Sequence, residues 1–136
     1  MKPLHLDSSL VIPYFNALLG IPPKNEEGAR KNEKAEKFMA RRRDTPRISV
    51  ATYAEVKRNF PDTDNLEEML EQFKAPLALH PRHANKWARL QNRSNRVMGD
   101  NDAWNAALAI CDNATLVGSD HAFENRPGLD YKDYMK

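Results

Sequence analysis

The chain of 136 residues predicts an α/β fold, a central parallel sheet flanked on both faces by helices. Three observations carry that reading. Short apolar segments recur at Leu4-His5-Leu6, Ile48-Ser49-Val50, Pro76-Leu77-Ala78-Leu79 and Thr115-Leu116-Val117-Gly118. Between them, apolar residues return at helical spacing over longer stretches. Gly and Pro punctuate the junctions, at Gly20, Pro22-Pro23, Pro46, Pro61 and Gly99. Strands linked through helices need right-handed crossovers, which lay the strands parallel. The expected strand order is 3-2-1-4, and Gly128-Leu129 leaves room for a short fifth edge strand.

The elements follow in order. Leu4-His5-Leu6 is the first strand, and Ser8 or Ser9 caps a helix from Leu10 to about Leu19. Pro13 falls in its first turn, where a missing N–H costs little. A charged helix covers about 25–43, with Ala29, Ala35, Phe38 and Met39 as a thin apolar stripe. The second strand, at Ile48, leads into a helix over 52–59. Leu66, Met69, Leu70 and Phe73 predict a further helix before the third strand. A basic helix follows, with Ala84, Trp87 and Leu90 inward. Asn101-Asp102 opens an Ala-rich helix to about Cys111, and the fourth strand comes next.

Composition bounds the class. At 40% hydrophobic and 29% charged, the chain reads as one globular domain, residues 1–136. No apolar run approaches the roughly 18 residues of a membrane span. The opening from Met1 lacks the apolar core of a secretory leader. Cys111 is the only cysteine, which fits a reducing cytoplasm and a plain core residue. His5, His80, Trp87 and Trp104 are read as packing residues. Net charge is only +2, but charge is segregated. Residues 62–71 are acidic, whereas 82–96 are basic. A second basic stretch holds Arg30, Lys31, Lys34, Lys37, Arg41, Arg42, Arg43 and Arg47. Basic faces beside a carboxylate site suit a polyanion.

In parallel sheets, ligands bind beyond the carboxyl ends of the strands. Asp7 ends the first strand, and Glu55 lies early in the helix after the second. Asp102 opens its helix, and Asp120 follows the fourth strand by two residues. Four acids thus arise at corresponding places in successive strand–helix units. Like charges so gathered resist ionising, and a divalent cation resolves the conflict. All donors are oxygens, which favours Mg²⁺ or Mn²⁺ over Zn²⁺. On charge alone, Asp7→Asn and Asp102→Asn should each relieve repulsion without loosening the metal-free fold.

Four segments carry a resemblance. Residues 4–12, LHLDSSLVI, resemble the opening of PIN domains, and residues 48–56, ISVATYAEV, resemble their second motif. Residues 99–109, GDNDAWNAALA, are similar to the third. Residues 115–123, TLVGSDHAF, with Pro127-Gly128-Leu129, are similar to the closing segment. Order and spacing match along nearly the whole chain, nearest to the VapC toxins of bacterial toxin–antitoxin pairs. The resemblance implies a three-layer fold and a Mg²⁺-dependent endoribonuclease acting on RNA, tRNA among the candidates. It implies Asp7, Glu55, Asp102 and Asp120 as the acidic quartet, with the metal held mainly by Asp7 and Asp102, and a hydroxyl nearby from Ser9. It further implies a homodimer and a VapB-type antitoxin whose basic or aromatic side chains reach the acids. Asn105 stands where an apolar residue is usual, Gly118 where Thr is common, and Asp100 adds an acid as an outer-ligand candidate. The competing reading is a PIN-fold RNA- or protein-binding module without turnover. A haloacid-dehalogenase-type phosphatase would need a second acid at Ser9. A receiver would need paired acids and a late Lys.

Overall fold

Three parallel strands form the centre of the computed structural model, which describes residues 2–42, 44–93 and 95–136. They are β1 (Leu4–Leu6), β2 (Thr115–Gly118) and β3 (Asp130–Asp133), in the order β1-β2-β3. Leu4 lies opposite Thr115, and Thr115 opposite Asp130. Side chains alternate across β2, and each face has its own core. Val117 packs with Leu6, Leu10, Phe15 and Phe73 on one face, while Leu116 packs with Ala103, Ala106 and Phe123 on the other. The helices therefore form the outer two of three layers.

Of the expected order 3-2-1-4, only the first and fourth strands form fully. Residues 48–50 and 76–79 form no strands. Arg47 makes a single parallel bridge to His5, on the edge of β1 that β2 leaves free, and Leu77 makes one to Ser49 beyond it. The cause is local. Ser49 already caps the next helix, so its chain turns away, and Pro76 has no N–H to extend a ladder. After Gly128-Leu129, β3 pairs with β2 as the sheet's far edge.

The helices are α1 (Ser8–Leu19), α2 (Glu26–Arg41), α3 (Val50–Asn59), α4 (Leu66–Leu70), α5 (Pro81–Arg93) and α6 (Asp100–Cys111). Asp7, not a serine, caps α1, which therefore starts two residues before Leu10. Gly20 closes it at φ 66, a left-handed conformation that favours glycine. The early start puts Pro13 in the second turn, where its missing N–H strands the carbonyl of Ser9. Tyr134 supplies the missing donor: its hydroxyl reaches the Ser9 oxygen at 2.7 Å.

Some expected core positions differ. Ala29 and Ala84 are exposed, Phe38 is half-buried, and Ala35 and Met39 carry the α2 contact. Within α5 the buried residue is His83. Its Nδ1 accepts the His80 N–H, and its Nε2 faces Asp112 at 3.2 Å. His80 is exposed, and Cys111 is half-buried rather than core. Trp87 and Trp104 are half-buried and stack on each other at 5.5 Å. Residue Arg43, the expected end of the second helix, and Met1 lie outside the described residues. Among the described residues, no helix is long and apolar enough to cross a membrane.

Candidate active site

Asp7 ends β1, and its backbone N–H donates to the carbonyl of Val117 at 2.9 Å, fixing it at the carboxyl edge of the sheet. Its side chain is 1% exposed, deep burial for a charged residue. Three donors compensate. Oδ2 accepts from the Ser9 N–H at 3.0 Å and the Ser9 hydroxyl at 2.6 Å. Oδ1 accepts from the Asn105 amide at 2.8 Å. A carboxylate offers about four lone-pair sites, so three donors leave one open, on Oδ1.

Those donors are themselves held. Asn105 lies on the buried face of α6, three residues after Asp102. Its Nδ2 also reaches the Thr52 hydroxyl at 3.0 Å, and its Oδ1 accepts from Ser49 at 2.5 Å. Ser49 in turn caps α3. On the other side, the Ser9 hydroxyl oxygen accepts from the Ser119 N–H at 2.9 Å. One chain of hydrogen bonds thus ties the starts of α1 and α3, the middle of α6 and the end of β2. Gly118 makes room for it. A Cβ at 118 would stand 2.8 Å from the Ser9 hydroxyl and 3.0 Å from the Asp7 Cβ. A Thr there would collide with the bonded pair.

Asp102 has the contrary environment. It sits half-buried in the first turn of α6, and among the described residues no hydrogen bond reaches its carboxylate. Burial, then the charges of Asp7, Asp120 and Glu55, push its pKa up to about 7. The charges of Asp7, Asp120 and Glu55 thus reach Asp102 from three other elements. Glu55, on α3, accepts from the Ser8 hydroxyl at 3.1 Å, while its Oε1 is buried without a partner. Burial pushes its carboxyl above the usual range against the pull of that hydrogen bond, and the charge of Asp7 adds to the rise. Asp120 caps a short 3-10 turn through the Ala122 N–H at 2.9 Å. Asp100 stands apart: it is exposed, and its charge is not among those acting on Asp102. Residues two apart on a helix do not share a face.

The donor set suits a hard cation. It holds an open position on Asp7, an orphaned buried oxygen on Glu55 and an uncompensated Asp102 carboxylate. Among the described residues, no three His, Cys, Asp or Glu side chains stand together as a ready-made cage. Mg²⁺ does not require one, since it binds through one or two carboxylates and keeps its waters.

Sequence reading named the four acids and Ser9 as candidates but not what positions them. Ser8, Ser49, Thr52, Ser119 and Tyr134 carry no sequence signal as site residues. Asn105 did stand out, as a polar residue on an otherwise apolar face.

No family profile matches the chain by sequence, and no curated protein does. Solved structures match it along nearly its whole length. VapBC2 from Rickettsia felis, bound to a DNA fragment from its promoter, superposes with a TM-score of 0.68 at 17% identity, over 96% of this chain and 97% of that one. The chain has the VapBC-type fold. Two further VapBC-type structures agree. VapBC-1 from nontypeable Haemophilus influenzae gives a TM-score of 0.65 at 21% identity, over 98% of both chains. DNA-bound VapBC from Salmonella typhimurium gives 0.68 at 19%, over 98% of this chain and 99% of that one. The VapBC-type fold is what the resemblance to VapC toxins implies, although identity this low speaks for fold alone.

Proposed function

We propose that the chain is a Mg²⁺- or Mn²⁺-dependent endoribonuclease, the toxin of a toxin–antitoxin pair. The observation that supports this most is Asp7, fixed at the carboxyl edge of the sheet with a lone pair left open, together with an Asp102 carboxyl that feels the charges of Asp7, Asp120 and Glu55. Asp7 and Asp102 would hold the ion. A bound divalent ion lowers the pKa of water and neutralises charge on a phosphodiester under attack. The chain's own residues do the rest. Ser9 and Asn105 orient the Asp7 carboxylate, while Ser8 holds one Glu55 oxygen and leaves the other to take a proton from water. Asp120 adds negative charge that favours a cation. The fold neighbours are toxin–antitoxin complexes, which supports an antitoxin partner here, one that places a basic side chain against the acids. A homodimer and a cytoplasmic site of action complete the reading.

The second reading is a binding module of the same fold without turnover, favoured by the lack of a preformed three-ligand cage among the described residues. One assay separates them. Purified protein incubated with structured RNA should cleave it with Mg²⁺ or Mn²⁺, and EDTA should stop cleavage. Asp102→Asn should abolish it. Full activity in EDTA, or wild-type rates from Asp102→Asn, would overturn the nuclease reading.

A further inference from the structure

Away from the acids, a groove of about 560 Å³ opens between α2 and the sheet. Its walls carry Lys34, Lys37, Arg41, Arg42, Lys132 and Lys136, and no acidic residue lines it. In a chain with 21 cations and 19 acids, that is a strong segregation of charge. Two of the cations have acid partners outside the groove, Lys37 with Glu33 at 2.8 Å and Lys136 with Glu124 at 3.3 Å. Lys34 is anchored on the Met135 carbonyl. Arg41, Arg42 and Lys132 make no ion pair among the described residues, and the Arg42 Nε is buried without a hydrogen-bond partner. Six gathered cations repel one another, and a polyanion relieves that repulsion.

Two links tie the groove to the acidic site. Tyr134, one of its walls, donates through its hydroxyl to Ser9, the residue that bonds Asp7. Leu4, another wall, stands three residues before Asp7 on β1, about 10 Å along the strand. A single strand of a few nucleotides spans such a distance. We propose that this groove holds backbone phosphates of the RNA strand whose scissile bond lies at the acids. The assignment rests on the nuclease reading for its substrate. An acidic protein segment is the competing occupant, but nothing in its chemistry requires a link to Asp7.

The test is a labelled single-stranded RNA of about a dozen nucleotides, titrated in EDTA between roughly 50 and 200 mM KCl. The variant Lys37→Ala/Arg41→Ala/Lys132→Ala removes three exposed side chains, so folding is not at stake. It should bind at least about tenfold more weakly, and its slope of log K against log salt should be shallower by about 2. In Mg²⁺ its KM for the same RNA should rise while kcat holds. Lys86→Ala/Arg89→Ala on the basic face of α5 is the control and should change little. Unchanged RNA affinity in the triple variant overturns the proposal, as does an equal loss in the control. So does a triple variant that keeps RNA affinity but loses affinity for a poly-glutamate peptide, which would make the occupant an acidic protein. If the wild type binds RNA through the groove yet cleaves none, the nuclease reading fails and the groove keeps only its phosphate-binding role.

Discussion

Asp7 and Asp102 are two of the four candidate site acids and are held in opposite ways. Asp7 is almost fully buried, yet three donors meet its oxygens. Asp102 is more exposed, yet among the described residues no donor meets it, and the charges of Asp7, Asp120 and Glu55 act on it. One carboxylate is part of the fold's framework; the other is a charge the fold tolerates. Equal charges in one site can therefore have opposite effects on stability, and hydrogen-bond count decides which.

Substitution should pull the two apart. Asp7→Asn replaces an acceptor with an amide that cannot accept from both Ser9 and Asn105. It should cost about 2–3 kcal/mol of stability, read as a lower melting temperature in EDTA. Cleavage should also fall, by about a thousandfold, some 4 kcal/mol of transition-state stabilisation. An unchanged melt would show that the network contributes nothing. Asn105→Leu attacks the framework without touching a carboxylate. It strands Asp7 Oδ1 and the Ser49 hydroxyl, at a cost of about 2 kcal/mol in denaturant unfolding.

Asp102→Asn should go the other way. With its folded pKa near 7 against 3.8 unfolded, Asp102 stays protonated in the folded state while ionised in the unfolded one between those values. Metal-free stability from this group is therefore undiminished below pH 4, falls as pH rises towards 7, and levels off above. The variant removes that fall. At pH 8 in EDTA it should be more stable by about 1 kcal/mol, after discounting for solvent screening, a gain of a few degrees. A lower melting temperature would place Asp102 in the framework as well. Smallest of all, Asp100→Asn should shift stability by less than about 0.5 kcal/mol and leave cleavage unchanged, since its side chain is exposed.

The layers of this fold were readable because they rest on periodicity, which is local. Thr115–Gly118 is a strand over the span its sequence predicts, and α6 starts within a residue of the expected place. The second and third expected strands are reduced to single bridges because Ser49 and Pro76 act at single positions, through a cap and a missing donor. The acids could be named as candidates because strand ends collect at one edge. Their differing states could not be read, because partners lie far away in sequence. Nothing near Asp7 announces Asn105, and charge alone made Asp7 and Asp102 equivalent. Asn105 and Gly118 looked like departures from a motif. In the structure they belong together: Gly118 provides the space beside the Ser9–Asp7 pair, and Asn105 closes it from α6.

Those distances have a consequence in time. Asn105 follows Asp7 by 98 residues, Ser119 follows Ser9 by 110, and Tyr134, which caps the carbonyl stranded by Pro13, follows Ser9 by 125. A ribosome synthesising this chain makes Asp7 well before Asn105 and Tyr134. Until those residues are made, the nascent chain has neither the amide that orients Asp7 nor the strand that pairs with β1. The centre forms only once residues 105–134 are present, so a product cut short of them carries Asp7 and Glu55 but not the assembled site.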